Sequence, residues 1–382
     1  METTTNLKTS NSSKEIKQAN QAETPNKKKR IASVDAFRGF TMLAMIFVIQ
    51  VAGYKDLPFA MSWFGSPVVS TFHHAADAEG NLTGIGLTFT DLVAPFFVFI
   101  VGLVIPFSKK SRSGILWWKH VGTRVAMLIA LGVIYISLIL GLSYWWGILQ
   151  AIAIAYLMGA AFMLLKPNWR WVAIFVVAAF HQYMSLTFPW WTHLGDPKAT
   201  ALSIANLGGD PWLPLTVHCT PWASISYGIV TVTGTLLGEA ILSHSTKKII
   251  TQSIIIGTVF CLAGYILHLY SWPVFAMNKA TVSSSYALFT SGIGAFTFLI
   301  FFLIMDVAQI QAWAYPFIVF GSNALLGYFL QPFVRMFLYA LGFKMYLTGH
   351  TGWMGMFVGL LWTAILWVVL LMCNKRNIYW KI

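Results

Sequence analysis

Charged side chains are scarce in this sequence. Of its 382 residues only 10% are Asp, Glu, Lys or Arg, whereas soluble domains carry about 25%. Acids are the scarcer half, 12 against 25 Lys and Arg. So few charges exclude an ordinary soluble domain. Cysteine is nearly absent too. Cys219, Cys261 and Cys373 lie far apart, two of them in apolar runs, so no disulfide framework or metal-ligand spacing results. No G-x-G-x-x-G, Walker loop, zinc spacing or Ser-His-Asp order occurs in a convincing context. No apolar stretch precedes the basic run Lys27-Lys28-Lys29-Arg30, so a cleaved signal peptide is not expected.

Apolar residues fill the chain instead: 57% of it, with 29 Phe, 17 Trp and a mean hydropathy of +0.69. A bilayer span takes about 20 such residues. Ten segments read as spans: 36–53, 87–107, 122–142, 146–165, 170–188, 222–243, 248–270, 284–305, 314–334 and 352–373. The stretch 334–351, broken by Arg335 and Lys344, reads as interfacial or re-entrant. The fold class expected is all-α, a polytopic membrane protein of about ten transmembrane helices. Residues 1–29 read as a disordered cytoplasmic tail, and 30–382 as one transmembrane domain. Lys27 to Arg30, Lys109-Lys110-Arg112, Lys166 with Arg170, Lys247-Lys248 and Lys375-Arg376 all fall on one side of this map. Loops 54–86, 187–221 and 271–283 fall on the other and are poor in Lys and Arg. That asymmetry puts both termini in the cytoplasm of a multi-pass inner-membrane protein. It also accounts for the net charge of +13 without nucleic acid.

Within this frame the polar residues are the candidates. His73 and His74 sit in a loop with Asp77 and Glu79, just ahead of the helix that carries Asp91. A carboxylate at membrane depth is costly, which makes Asp91 a functional candidate. The plainer alternative is that Asp91 caps its helix. Thr88, Asp91 and Pro95 share one helical face, and a carboxylate bonded to an imidazole would make it a better base. Adjacent histidines also suit a metal, but no further ligands are spaced for one. Glu239 and Asp306 lie near cytoplasmic helix ends, where a solvated, snorkelling role fits. Gln50, Gln150, Asn323, Gln331 and Arg335 are the other polar residues inside spans, and such amides often bridge helices. Asp35, Arg38 and Arg124 gather at the inner ends, suited to phosphates or to anionic lipid head groups. Tryptophans in the outer loops suit an interfacial belt.

Several of these stretches resemble one known family. Arg30-Ile-Ala-Ser33-Val-Asp35-Ala-Phe-Arg38-Gly39 is similar to the opening R-x-x-S-x-D-x-x-R-G of the heparan-α-glucosaminide N-acetyltransferase family. Leu87-Thr-Phe-Thr-Asp91-Leu-Val-Ala-Pro95, running on to Gly102, resembles its G-L-T-x-x-D-L-x-x-P-x-F-x-F-x-x-G segment. Gly147 to Gln150, Asn278-Lys279 with Ser284-Ser285-Tyr286, and Gly321-Ser-Asn323-Ala324 echo three more motifs, in order across the membrane region. The chain departs from the pattern in three places. The Trp after the histidine is missing and residues 77–85 are inserted; Ile49 stands where the family has Asn; Ala151 replaces an Arg.

The resemblance implies transfer of an acetyl group from cytosolic acetyl-CoA, across the bilayer, to the amine of an amino sugar or glycan on the periplasmic side. His74 takes the position of the essential histidine, as base or acyl acceptor, with His73 as the fallback and Asp91 orienting it. Gln50 or Asn323 would polarise the thioester carbonyl. Arg38 and Arg124, with Asp35, Gln150, Lys279 and Asn323, form the expected acetyl-CoA site. No metal is expected, and a homodimer stays open. A membrane transporter or a non-catalytic membrane scaffold is the competing reading, against which the scarcity of intramembrane carboxylates counts.

Overall fold

The computed structural model describes residues 31–62, 64, 68–75, 85–112, 114–140, 146–192, 220–270 and 276–380. The tail 1–29 and most of the inserted segment 77–85, with Asp77 and Glu79, lie outside them, as does Cys219. Contacts divide the chain into Met1–Ala32 and Ser33–Ile382, and the helical bundle belongs to the second unit.

Every segment read as a span is largely helical. The helices are α1 (Ala32–Val51), α2 (Phe89–Ser111), α3 (Gly114–Leu140), α4 (Ile148–Phe162), α5 (Pro167–Thr187) and α6 (Tyr227–Leu242). After them come α7 (Thr246–Tyr270), α8 (Ser284–Phe302), α9 (Tyr315–Ser322), α10 (Ala324–Ala340), the short α11 (Lys344–Leu347) and α12 (Gly352–Lys375). Among the described residues six helices are long and apolar enough to cross a membrane, or seven if a bent pair is one span. This is an all-α membrane protein, with fewer qualifying spans than the ten expected. At 15 residues α4 is short for a crossing, and α5 is interrupted by Arg170, His181 and Gln182. The segment 314–334 is not one rod: α9 and α10 meet at Asn323 with a bend of 75°. The loop between α1 and α2 adds a small antiparallel ladder of β1 (Ala60–Met61) and β2 (Val69–Ser70), pairing Ala60 with Ser70.

Small residues let the helices touch backbone to backbone. A Cβ on Gly102 of α2 would lie 2.2 Å from the Thr231 carbonyl oxygen of α6. One on Gly39 of α1 would lie 1.6 Å from the Phe317 carbonyl oxygen of α9. Between membrane helices, where lipid is as apolar as leucine, such close van der Waals contact is a main source of association. Around the α1–α9 contact, Met42, Ile46 and Val51 pack with Phe320 and with Trp362, Leu366 and Leu370 of α12.

The two carboxylates read as snorkelling are half-buried and also bonded to the protein. Glu239 pairs with Arg170, whose side chain is 1% exposed. Arg170 also donates to Thr235 Oγ1 at 3.0 Å and to the Leu165 carbonyl at 3.3 Å. A charge that deep persists because a counter-charge and further acceptors meet it. Asp306 accepts from the Ser33 amide at 3.1 Å, in the first turn of α1, where an anion complements the helix dipole.

Candidate active site

The site is built from the start of α2. Thr88 is its N-cap and Asp91 its third residue, so the carboxylate can turn back over the first turn. Asp91 Oδ2 accepts from the Thr88 amide at 3.1 Å and from the Ala75 amide at 3.0 Å. Capping and chemistry are therefore one arrangement, because the other oxygen, Oδ1, lies 2.7 Å from His74 Nδ1. Thr88 Oγ1 stands 2.6 Å from the His73 carbonyl and 2.9 Å from Asp91 Oδ2. Its single proton serves one of these acceptors at a time. Thr71 holds the loop to the helix, accepting from the Phe89 amide through Oγ1 and from the Thr90 amide through its carbonyl, each at 3.3 Å.

Pro95 explains another contact. Lacking an N–H, it cannot bond the carbonyl of Asp91 one turn earlier. Tyr286 Oη of α8 fills that gap, donating to the Asp91 carbonyl at 2.6 Å. The proline vacancy thus becomes a peg between α8 and the residue that holds the histidine.

Lys279 arrives from a distant loop. Asn278 shapes that loop by accepting from the Thr281 amide through Oδ1 at 3.1 Å, and Gly86 donates to the Met277 carbonyl at 2.8 Å. Lys279 Nζ then stands 3.1 Å from His74 Nε2 and 3.3 Å from Nδ1. Since a carboxylate only accepts, Nδ1 is assigned the imidazole proton and Nε2 the lone pair. Burial, then the Lys279 charge, hold His74 below the ordinary histidine value, with Asp91 pulling the other way. Both effects favour the neutral imidazole, with its basic nitrogen against the Lys279 ammonium.

His74 and Lys279 line a cavity of about 310 Å³ with Ile49, Gln150, Tyr135 and Tyr328 among its walls. Most of that lining is apolar. The structure thus brings together His74, Asp91, Lys279 and Gln150 of the expected residues, with His73 beside them, and leaves the others elsewhere. Gln150 also caps α4, its Oε1 accepting from the Gly147 amide at 3.2 Å. His73 contributes its carbonyl, while its Nε2 is shielded with no hydrogen bond among the described residues. Gln50 does not line the cavity. It donates to Tyr54 Oη at 2.7 Å and the Leu347 carbonyl at 3.0 Å, and accepts from Arg335 at 2.8 Å. Asn323 is fully buried at the α9–α10 break. It donates to Asn374 Oδ1 at 2.7 Å and the Ile378 carbonyl at 2.8 Å, and accepts from the Trp380 amide. Arg38 pairs with Asp35 at 2.9 Å, and Arg124 lies 4.9 Å from the centre of the Tyr156 ring. In the sequence Tyr286 is only part of a motif, with no task of its own. The signal for its role is Pro95, four residues after the acid.

No family model and no curated protein matches this chain.

Proposed function

We propose that this protein is an inner-membrane acyltransferase that moves an acetyl group from cytosolic acetyl-CoA to the amine of an amino sugar or glycan on the periplasmic side. What supports the reading best is the His74–Asp91 pair, with the second imidazole nitrogen against Lys279 and both His74 and Lys279 lining an apolar cavity. The motif resemblance points the same way. In the reaction the acceptor displaces Lys279 from Nε2. Its amine nitrogen then attacks the thioester carbonyl while His74 Nε2 takes the amine proton. The C–S bond breaks, and the departing thiolate recovers that proton from the imidazolium. Lys279 stands at His74 in the cavity lining, whereas Gln50 and Asn323 are engaged elsewhere, and a cation in an apolar cavity is well suited to hold the developing oxyanion.

The test uses the full-length protein in nanodiscs with radiolabelled acetyl-CoA and an amino-sugar acceptor. His74→Ala should lose about 10²–10⁴ of turnover while acetyl-CoA still raises the melting temperature through mass action. Parent-like turnover in that variant would remove His74 as the base. Absence of both transfer and stabilisation by acetyl-CoA would sink the acyltransferase reading and favour a transporter.

A further inference from the structure

Arg335 of α10 is a charge the chemistry above does not use. Among the described residues it makes no ion pair. Its Nη2 donates to Gln50 Oε1 at 2.8 Å, its guanidinium carbon lies 5.6 Å from the Trp362 ring centre, and its Nε is shielded with no hydrogen bond among the described residues. A guanidinium does not shed its charge, and its fork matches phosphate and carboxylate oxygens. One amide oxygen and an indole face leave that capacity largely unspent.

The surroundings add positive charge. Tyr54 Oη and Gln50 Nε2 both donate to the Leu347 carbonyl, and the Gly352 amide donates to the Lys55 carbonyl at 3.0 Å. These bonds draw residues 50–56 and 335–352 to one end of the bundle. Among the described residues of these two segments Lys55, Arg335 and Lys344 stand against Asp56, so the cations outnumber the acid. Beside them, Phe333, Met336, Phe337, Met345 and Tyr346 of α10 and α11 are exposed apolar side chains. A cationic centre next to an apolar face has the chemistry of an amphiphile's phosphate and chain.

Two helices place this centre beside the catalytic cavity. Ile49 lines the cavity and the next residue, Gln50, holds Arg335. Tyr328 lines it too, and Arg335 follows two turns later on α10, about 10 Å along the axis on a similar face. A head group held at Arg335 could therefore extend toward His74.

We propose that Arg335 binds the phosphate of a lipid-linked amino sugar, whose chain lies along the exposed face of α10 and α11 and whose amine reaches His74. The phosphate site stands by itself, and its role as an acceptor site rests on the acyltransferase reading. The acceptor class is then a membrane-anchored sugar phosphate, not a soluble glycan.

The experiment uses the full-length protein in phosphatidylcholine nanodiscs, titrated with dodecyl phosphate and followed by thermal shift. Saturable stabilisation is expected, weakened at least tenfold in Arg335→Gln and less in Arg335→Lys. Dodecanol and inorganic phosphate, each alone, should do nothing at the same concentrations. Equal affinity in Arg335→Gln overturns the proposal, as does dodecanol matching dodecyl phosphate. Displacement by equimolar phosphatidylglycerol overturns it too, because the site then belongs to bulk anionic lipid. If Arg335→Gln fails to fold, the comparisons on the parent protein decide alone. Two further outcomes separate this proposal from the functional one. Acetylation of soluble glucosamine that dodecyl phosphate fails to inhibit removes the acceptor class and spares the acyltransferase. Phosphate-dependent binding without transfer to any amine supports the site and removes the acyltransferase.

Discussion

At the scale of the residue, the decisive feature is how Asp91 divides its two oxygens. One is committed to backbone amides of Thr88 and Ala75, the other to His74. Asp91→Asn should keep its remaining oxygen on the amides, since two N–H donors there reject an NH2 group. The new Nδ2 then faces His74 Nδ1 and forces the proton to Nε2, where no base remains. Turnover should fall about as far as in His74→Ala, with little change in acetyl-CoA binding, measured side by side. The neighbours of His74 also set its pH response. Asp91 faces it from α2, His73 from its own loop and Lys279 from the loop before α8. Because burial and Lys279 lower its pKa, neutral imidazole persists below 6.5, and activity should fall only as pH drops through that lower value. Lys279→Met removes a cation, so the His74 pKa rises and the acid limb of the pH–rate profile should move up. An unmoved limb would show that the lysine's charge does not act on the base.

At the scale of the element, packing and site share the same residues. Gly39 belongs to the opening motif, where the arginine beside it draws attention as a phosphate ligand. The structure gives the glycine a reason of its own: α9 crosses α1 at Phe317, closer than any side chain allows. Gly39→Ala should therefore destabilise by at least the 1–3 kcal/mol of ordinary overpacking, read as lost thermal stability in detergent, whereas Arg38→Ala should leave stability nearly unchanged. If Gly39→Ala melts with the parent, the two helices have room to part. This contrast also shows what a sequence can convey. Asp91 beside a histidine was legible, because an acid opening an apolar helix is conspicuous and its partner is 17 residues away. Lys279 was visible only as part of a motif, since 205 residues separate it from His74. Gln50 was read as a carbonyl polariser because its partner Arg335 lies 285 residues on. Arg170 was read only as part of the basic count at one face, since its partner Glu239 lies 69 residues on. The bend at Asn323 had only Gly321, two residues earlier, to announce it within an otherwise apolar run.

At the scale of the whole molecule, the proposed transfer depends on which ends of the helices face which compartment. Within α1, Arg38 and Ile49 are 11 residues apart, about 16 Å along the axis. The cavity with His74 therefore sits toward the opposite end of the bundle from the Asp35–Arg38 pair. If CoA phosphates dock at Arg38 and Arg124, the acyl end must travel that distance to meet an acceptor from the other side. Such a path makes sense only if the two ends open to different compartments. The orientation proposed from the basic residues puts the end of α2 closed by Lys109 and Lys110, away from Asp91, in the cytoplasm. In a variant with Cys219, Cys261 and Cys373 replaced, single cysteines at Ala60 and at Lys110 test this directly. A membrane-impermeant maleimide should label Ala60→Cys in intact cells and Lys110→Cys only after permeabilisation. Both positions are exposed, so failure to label cannot be blamed on burial. Labelling of Lys110→Cys alone in intact cells would put His74 on the cytosolic side. Acetyl-CoA would then meet the base directly, and no transfer across the membrane would be needed.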